Sequence, residues 1–221
     1  MSYHVKILDV HSLTHDVKRI TTVKPEGYSF NPGQATEVSV DIEGYREEKR
    51  PFTFTSLPSD KTLEFTIKSY HDHDGVTQKI DSLSAGDEFI IDDAWGAIEY
   101  KGKGTFIAGG AGITPFIAIL HDLKAKDQLE GHRLLFSNKT EKDVIMGAEF
   151  SRMLGEDFIS VLTQEEHKGH AYGRIDSDFL KKHVNDFSEQ FYVCGPDGMV
   201  KDINELLENM GADTDSLVFE K

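Results

Sequence analysis

The amino-acid sequence predicts two domains, an N-terminal antiparallel six-stranded β-barrel followed by a C-terminal α/β domain built on a parallel sheet. Up to about Tyr100, short apolar or alternating runs are separated by turn residues. Beyond the glycine- and lysine-rich segment at residues 101–104, such runs alternate with helical stretches. The 221 residues are enough for two ordinary domains.

The barrel strands are predicted wherever a short run rich in β-branched and aromatic residues lies between turn sequences. Examples of such turns are Pro25-Glu26-Gly27 and Asn31-Pro32-Gly33, which place proline and glycine where the chain must reverse. The predicted strands are Val5–Val10, Val17–Val23, Glu37–Ile42, Phe52–Thr55, Leu63–Tyr70 and Glu88–Ile91. We expect the barrel domain to cover residues 1–101.

The second domain, expected to cover residues 102–221, has the strand and helix alternation of a Rossmann-like parallel sheet with both faces covered. Its predicted strands are Thr105–Ala108, Arg133–Ser137, Phe158–Leu162 and Gln190–Cys194. Its predicted helices are Pro115–Lys126, Gly147–Leu154, Asp176–His183 and Gly198–Asn209.

Composition excludes several classes of function. A net charge of -15 argues against a nucleic-acid partner and against an acidic membrane surface, because polyanions are bound by clustered lysine and arginine. The single cysteine, Cys194, excludes a disulfide or a cysteine-ligated iron–sulfur cluster within the chain. The absence of a signal-peptide pattern and of a long apolar stretch predicts a cytoplasmic protein without a membrane span.

A glycine-rich turn, Gly109-Gly110-Ala111-Gly112-Ile113-Thr114-Pro115, joins the first strand and the first helix of the second domain. Glycines there would let the backbone approach a pyrophosphate, whose charge the unpaired N–H groups of the helix start would favour. Such turns also join strands to helices without any ligand, and this one does not match the dinucleotide fingerprint G-x-G-x-x-G.

A second turn, Cys194-Gly195-Pro196-Asp197-Gly198-Met199, again follows an apolar strand and precedes a helix. Open α/β sheets bind ligands beyond the carboxyl ends of their strands, so the two turns are expected along the same rim of the sheet. The alternative is that Cys194 is only a small buried apolar residue at a strand end.

The segment Arg50-Pro51-Phe52-Thr53-Phe54-Thr55-Ser56 alternates aromatic and hydroxyl side chains. Alternation places Phe52 and Phe54 on one face of a strand and Thr53 and Thr55 on the other. Such a strand could stack a ring on an aromatic residue while Arg50 binds a phosphate. An ordinary barrel strand remains the alternative.

Together these three segments resemble the ferredoxin–NADP(+) reductase superfamily, and the resemblance covers nearly the whole chain. The family has an R-x-[YF]-[ST]-x-x-S strand, a G-G-x-G-[IV]-[TS]-P turn and a C-G-P-x-x-M turn, which this chain matches in the same order at 50–56, 109–115 and 194–199. The resemblance implies bound FAD, with FMN less favoured, and NADPH or NADH as the hydride donor.

The resemblance also implies residue roles in the flavin site. Arg50 would bind the flavin phosphate, Phe52 would pack on the isoalloxazine ring next to Pro51, and Thr53 would form a hydrogen bond near the flavin N5. A tyrosine is more common at Phe52, so a hydroxyl is absent here. The next flavin segment would be Ile67, Lys68 and Ser69, followed by Gly75, Val76 and Thr77, whose backbone and hydroxyl would meet the pyrophosphate.

In the second domain the resemblance implies a frame around the nicotinamide. Its members would be Gly109, Gly110, Gly112, Ile113, Thr114 and Pro115 with Cys194, Gly195, Pro196 and Met199. Cys194 would lie close to the reacting carbon, and it acts with Thr53 by positioning rather than as a nucleophile. Phe219 would cover the flavin.

Ser137, Asn138 and Lys139 follow the second strand of this domain, where relatives bind a 2′-phosphate, but such a turn also occurs in NADH users, so the nucleotide preference stays open. No metal site is predicted, because the string His71-Asp72-His73-Asp74 specifies no third ligand and fits a polar loop.

The predicted function is hydride transfer from NAD(P)H to bound FAD and electron delivery to a ferredoxin, a flavodoxin or an oxygenase-type acceptor. An acidic acceptor would need a basic patch on this acidic chain, for which Arg46, Lys49 and Arg50 are candidates. The alternatives are a reductase of free flavin and a non-catalytic flavin-bearing electron-transfer subunit.

Overall fold

The structure, a computed structural model, describes residues 1–70, 75–96, 98–213 and 217–219, with only the backbone at 219. The chain divides into two compact units. The first unit contains Met1–Glu99 and Thr114–Asp122, and the second contains Tyr100–Ile113 and Leu123–Lys221. The predicted boundary between residues 101 and 102 stays a prediction.

The first unit is built on a six-stranded antiparallel sheet. Its strands are β1 (Tyr3–Ser12), β2 (Val17–Val23), β3 (Ala35–Val40), β4 (Arg50–Thr53), β5 (Thr62–Lys68) and β6 (Glu88–Ile91). They pair in the order β4-β3-β6-β1-β2-β5, and the turn residues of the sequence lie between them. The predicted antiparallel six-stranded architecture is therefore confirmed.

The two outer strands of this order come together beyond the end of β4. Thr53 still pairs with Ala35 of β3, whereas Phe54 forms a bridge with Phe65 of β5. The Thr55 N–H then donates to the Glu64 carbonyl at 2.8 Å. The strand predicted at Phe52–Thr55 is thus assigned to 50–53, because the chain changes its pairing partner after Thr53 and closes the barrel.

The barrel interior is filled by side chains that alternate inward along the strands. Phe54 stacks on Phe30 with ring centroids 4.3 Å apart, and it also contacts Tyr28 and Phe65. All four are buried. Burial of large aromatic and aliphatic side chains is the main stabilising term for such a unit. A short helix, α1 (Val76–Asp81), adds Val76 and Ile80 to this core, and the sequence analysis did not predict it.

The second unit is a six-stranded parallel sheet. Its strands are β7 (Gly104–Gly109), β8 (Arg133–Asn138), β9 (Phe158–Leu162), β10 (Ala171–Tyr172), β11 (Gln190–Cys194) and β12 (Leu217–Phe219), in the order β10-β9-β8-β7-β11-β12. The helices of the α/β segment are α2 (Thr114–Ala125), α3 (Gly147–Leu154), α4 (Ser177–His183) and α5 (Asp197–Asn209). The Rossmann-like parallel sheet is confirmed.

Strands β7, β8, β9 and β11 were predicted because each contains a run of apolar residues, as expected where both faces of a parallel sheet are covered. Strands β10 and β12 were missed because two or three residues leave no periodic pattern to recognise. Among the described residues, no helix combines the length and the apolar character needed to cross a bilayer.

Candidate functional site

The two glycine-containing turns of the second unit lie side by side at the carboxyl ends of adjacent strands. Strands β7 and β11 are parallel neighbours, and Ala108 pairs with Cys194 at their last common position. A short 3₁₀ turn over Gly110–Ile113 then leads into α2, and Pro196 leads into α5. The structure therefore brings together the two motifs that the sequence analysis placed on one rim.

Three glycines allow the two turns to touch through their backbones. A Cβ atom on Gly112 would lie 2.5 Å from the Cys194 carbonyl carbon and from the Gly195 nitrogen. One on Gly195 would lie 3.1 Å from the Gly109 Cα, and one on Gly109 would collide with the Met199 sulfur. Gly112 and Gly195 thus pack on the backbone of the opposite turn, most tightly at Gly112, whereas Gly109 packs on the side chains of Met199 and Pro196.

The start of α2 carries the features of an anion-binding helix end. Gly110 has φ +53, the left-handed conformation that glycine adopts most readily. The first turn of α2 contains no acidic side chain that would neutralise the positive end of the helix dipole. Ile113 and Pro115 are buried and Thr114 is partly exposed, so the Thr114 side chain can be reached from solvent at this helix start.

Cys194 closes strand β11 with only 4% of its surface exposed. Its carbonyl group packs on Gly112, so the backbone at this residue is held by the neighbouring turn. A buried thiol at such a place can act through its position and shape, while a role as an exposed nucleophile does not fit.

A cleft of about 360 Å³ opens in the second unit beyond the carboxyl ends of β8 and β9 and beside the first turn of α5. It combines an apolar wall with hydroxyl, cationic and anionic side chains, and its lining is Ser137, Thr163, Arg174, Ile175, Gly198, Met199, Asp202 and Ile203. Of these, Ser137 and Met199 were predicted as site residues. A mixed cleft at this place in an open α/β sheet is where a nucleotide ligand is expected.

Thr163, Arg174 and Asp202 were missed by the sequence analysis. Asp202 and Ile203 follow Met199 at the i+3 and i+4 positions of α5, so the helical repeat could have placed all three on one face. Thr163 follows β9 directly, and its N–H donates to the Asn138 carbonyl at 2.9 Å. Arg174 comes after β10, which gave no recognisable pattern.

In the first unit, strand β4 presents the predicted flavin-binding side chains at different depths. Arg50 and Pro51 are exposed, and Phe52 and Thr53 are partly exposed. Phe52 packs partly against the barrel core, whereas Phe54 is completely buried in it. The Arg50 guanidinium and part of the Phe52 ring are thus accessible to a ligand, while the predicted alternation of faces over residues 52–55 stays a prediction.

In the second predicted flavin segment, residues 67–69, the groups available to a ligand are mainly those of the backbone and the Ser69 hydroxyl. The Ile67 side chain is in the barrel core, and the Lys68 ammonium forms an ion pair with Asp16 at 2.7 Å. Burial opposes ionisation of Asp16, but hydrogen bonds from Lys68 and Thr14 outweigh it and lower the pKa of this carboxyl. Gly75 precedes α1 with Val76 buried and Thr77 partly exposed.

Behind β4, the carboxyl group of Glu64 is also largely buried. Burial raises its pKa, although the Thr55 hydroxyl donates a hydrogen bond to it at 3.0 Å. The Thr66 hydroxyl donates in turn to the Thr55 hydroxyl at 3.3 Å. The Thr55 hydroxyl thus has hydrogen-bond partners within the first unit. The two threonines of the motif therefore differ, since Thr53 is partly exposed and Thr55 is buried.

Two of the sequence predictions fall outside the described part of the chain. The string His71-Asp72-His73-Asp74 is not described, and of Phe219 only the backbone is, paired with Val193 in the β11–β12 ladder. The proposed cover of the flavin by Phe219 therefore stays a prediction.

Comparison with known proteins matches both halves of the chain to families. Residues 2–103 match an FAD-binding domain, and residues 106–205 match an oxidoreductase NAD-binding domain. The chain is therefore an oxidoreductase chain built of an FAD-binding and an NAD-binding domain, and its structural neighbours are ferredoxin–NADP(+) reductase-like flavoprotein reductases. The superfamily recognised from the three motifs is confirmed, and with it an FAD-binding and an NAD-binding domain.

Among curated proteins, the chain is 25% identical to the reductase component of propane 2-monooxygenase from Rhodococcus jostii, covering 98% of this chain and 62% of that protein. It is 24% identical to NADH-cytochrome b5 reductase 1 from Rattus norvegicus, covering 90% of this chain and 78% of that protein. It also spans 59% of the length of a plasma membrane-associated coenzyme Q6 reductase from Saccharomyces cerevisiae. The chain thus spans about three fifths of the length of some of its relatives.

A solved member of the superfamily has the same fold. The crystal structure of a ferredoxin NADP+ reductase from Neisseria gonorrhoeae with bound FAD and NADP superposes with a TM-score of 0.85 at 22% identity, covering 99% of this chain and 98% of that one.

The residues of the present chain fit both FAD and a nicotinamide nucleotide. Ser69 is buried, and its hydroxyl has no hydrogen-bond partner among the described residues, next to the segment expected to meet a flavin pyrophosphate. Asn138 is likewise buried, and both polar atoms of its amide lack a partner within the described chain, at the end of the strand whose Ser137 lines the cleft. Lys139 beside it is exposed. Buried polar atoms without partners are costly, so they favour ligand contact at these two places.

Proposed function

We propose that this chain is an NAD(P)H-dependent reductase that holds FAD on its first unit, binds the nicotinamide nucleotide on its second unit and passes electrons to a separate acceptor. The observation that carries the proposal is the backbone contact of the turns at Gly109–Gly112 and Cys194–Gly195. It supports a site at the rim of the sheet, with the 360 Å³ cleft on the same side.

When bound, FAD supplies the redox chemistry, accepting a hydride equivalent from the nicotinamide and releasing electrons singly or in pairs. The protein residues supply binding and alignment. In this proposal Arg50 binds a phosphate, the partly exposed Phe52 packs on the flavin ring, and Thr53 offers a hydroxyl to its edge. Cys194 shapes the nicotinamide site from its buried position.

The dinucleotide is expected to lie along the rim, with its adenosine part in the cleft. Arg174 supplies a cation for a phosphate, and the Ser137 and Thr163 hydroxyls supply hydrogen bonds. Asp202 provides an acceptor for ribose hydroxyls. The N–H groups at the start of α2 would bind the pyrophosphate. Either NADH or NADPH is compatible with this set.

The acceptor is proposed to be a protein with a neutral or basic docking face. Of the three cations considered for an acidic partner, Arg46 is paired with Asp41 at 2.5 Å and Lys49 with Asp92 at 2.6 Å. Arg50, whose guanidinium is exposed, is assigned to the flavin phosphate in this proposal. Because the whole chain carries a net charge of -15, these cations give little attraction to an acidic ferredoxin or flavodoxin. We therefore propose an acceptor of the oxygenase or cytochrome type, as in the names of the relatives. We also propose a cytoplasmic location.

An anaerobic absorbance titration tests the proposed reductase directly. Purified protein should be yellow, or should become so after incubation with FAD, and NADH or NADPH should bleach the flavin band. Comparison of the two nucleotides gives the preference. Release of the flavin on gel filtration, with saturation by added FMN or FAD, would favour a free-flavin reductase instead.

A protein that binds neither FAD nor FMN would overturn the proposal. Bound flavin that neither nucleotide reduces would indicate the non-catalytic electron-transfer subunit. Arg50→Ala serves as the site control, because it removes an exposed cation without disturbing the barrel core.

A further inference from the structure

We propose that the second unit carries a binding site for one divalent transition-metal ion of the Zn²⁺ type, formed by Glu141, His167 and His170. The Glu141 carboxylate and the His167 imidazole are exposed, the His170 imidazole is mostly buried, and the ligand atoms of the three residues are all within 4.8 Å of one another. The site uses residues that take no part in the proposed flavin and nucleotide sites, and it stands independently of the proposed reductase activity.

The distances between the ligand atoms suit a tetrahedral ion. The His167 Nε2 atom lies 3.1 Å from one Glu141 oxygen, and the His170 Nε2 atom lies 4.0 Å from the other. With metal–ligand bonds of about 2.0–2.1 Å, ligand atoms of a tetrahedral zinc ion are about 3.4 Å apart. The two printed distances lie on either side of this value, the ligand atoms of all three residues are within 4.8 Å of one another, and a water molecule could take the fourth position.

The orientation of His170 is fixed by a second hydrogen bond. Its Nδ1 atom lies 2.8 Å from the hydroxyl oxygen of Ser160, a buried residue in β9. In the tautomer in which Nδ1 donates to the Ser160 hydroxyl, the lone pair is on Nε2, the atom that faces Glu141, and this is the tautomer that a metal ion would select. A hydrogen bond at the far ring nitrogen is the usual way in which proteins orient a metal-binding histidine.

Strand pairing and a backbone hydrogen bond hold the segment that carries the two histidines. Ala171 directly follows His170 and pairs with Val161 in the β9–β10 ladder. The N–H of His170 donates to the His167 carbonyl at 3.2 Å, so the two histidines share one tight turn. Their spacing, H-x-x-H, therefore reflects a defined turn, which limits the entropy lost on metal binding.

Glu141 is held in a similar way. The preceding Thr140 and the following Asp143 form a capping box, in which the Thr140 N–H donates to the Asp143 carboxylate at 2.9 Å. The Glu141 N–H donates to the Glu165 carboxylate at 2.8 Å, which ties the turn after β8 to the segment after β9. Metal bound here would link these same two segments and stabilise the second unit.

The chemistry of the ligand set selects the class of ion. Imidazole with carboxylate suits Zn²⁺, Ni²⁺ and Cu²⁺, whereas Mg²⁺ and Ca²⁺ prefer oxygen ligands. Half of the Glu141 side chain (52%) and 41% of His167 are exposed, so an ion can enter from solvent.

A second group of similar composition in the first unit, His4, Asp41 and Glu88, provides a matched comparison. There the guanidinium of Arg46 is bound to Asp41 at 2.5 Å, and this cation opposes a metal ion at the same carboxylate. We therefore expect metal binding at Glu141 and not at His4.

Isothermal titration calorimetry of the full-length chain, without a polyhistidine tag and pretreated with a chelator, tests the site with ZnCl₂. We expect one equivalent of Zn²⁺ per chain, a rise in the unfolding temperature with Zn²⁺, and no response to MgCl₂ or CaCl₂. His167→Ala and His170→Gln should abolish binding, whereas His4→Ala should leave it unchanged. Ser160→Ala should weaken it roughly tenfold through loss of orientation.

Thermal unfolding in the presence of a chelator checks that each variant is folded. Failure of the wild-type chain to bind Zn²⁺ would overturn the proposal. So would binding that survives in the folded His167→Ala and His170→Gln variants, or binding that is lost in His4→Ala.

Discussion

Replacement of Gly112 by alanine tests whether the contact between the two turns builds the nucleotide site. The added Cβ would lie 2.5 Å from two backbone atoms of the Cys194–Gly195 peptide, about 0.9 Å short of the 3.4 Å at which ordinary contact begins. These atoms belong to the backbone of a strand end and cannot rotate away as a side chain would. The two turns must therefore separate.

We expect this overpacking to lower the free energy of unfolding by about 3 kcal/mol, at the upper end of the usual range because the neighbours are backbone atoms. For a chain of this size the unfolding temperature should fall by about 6–12 °C. Displacement of the rim should also slow flavin reduction by NAD(P)H on the order of 100-fold. Thermal unfolding and anaerobic stopped-flow absorbance measure the two effects.

Gly110→Ala is the matched control in the same turn. Its Cβ would meet no atom within 4 Å, and φ +53 predicts a cost of only about 1–2 kcal/mol for the left-handed conformation. The reasoning is refuted if Gly112→Ala unfolds and reduces flavin as the wild type does, or if Gly110→Ala is the more damaging of the two.

Four further predictions follow from individual contacts. Arg50→Ala should release flavin on gel filtration, and full flavin occupancy would rule out its phosphate role. Cys194→Ala should slow flavin reduction in stopped-flow experiments while the flavin content, measured by absorbance, is unchanged. Tyr192→Phe should cost about 1–3 kcal/mol in denaturant unfolding, because the Tyr192 hydroxyl donates to the Gly102 carbonyl at 2.6 Å and accepts from the Lys101 N–H at 2.9 Å. Burial lowers the pKa of His132 below its ordinary 6.5. As the pH falls below 6.5, the unfolded chain therefore binds a proton at this histidine before the folded chain does, and the free energy of unfolding decreases. His132→Gln should reduce this dependence of the free energy of unfolding on pH, measured by denaturant titrations at several pH values.

The gross architecture was predictable because it depends on local patterns that repeat. The apolar runs within β7, β8, β9 and β11 and the helical stretches between them predict a parallel sheet. Elements too short to show a period, such as α1 and β10, were not found. The end of β4 was misplaced because a change of pairing partner at Phe54 leaves no mark in the residue alternation.

The functional site was likewise predictable where it depends on contiguous motifs and not where it depends on residues from separate loops. The sequence by itself determined which motifs carry it, since the turns at 109–115 and 194–199 and the strand at 50–56 are contiguous segments with characteristic residues. Only the tertiary structure decided that Gly112 packs on the Cys194 backbone, that Arg174 and Asp202 share a cleft with Ser137, and that Glu141 lies beside two histidines. These residues come from separate loops, and only the pairing of the strands beneath them sets their distances.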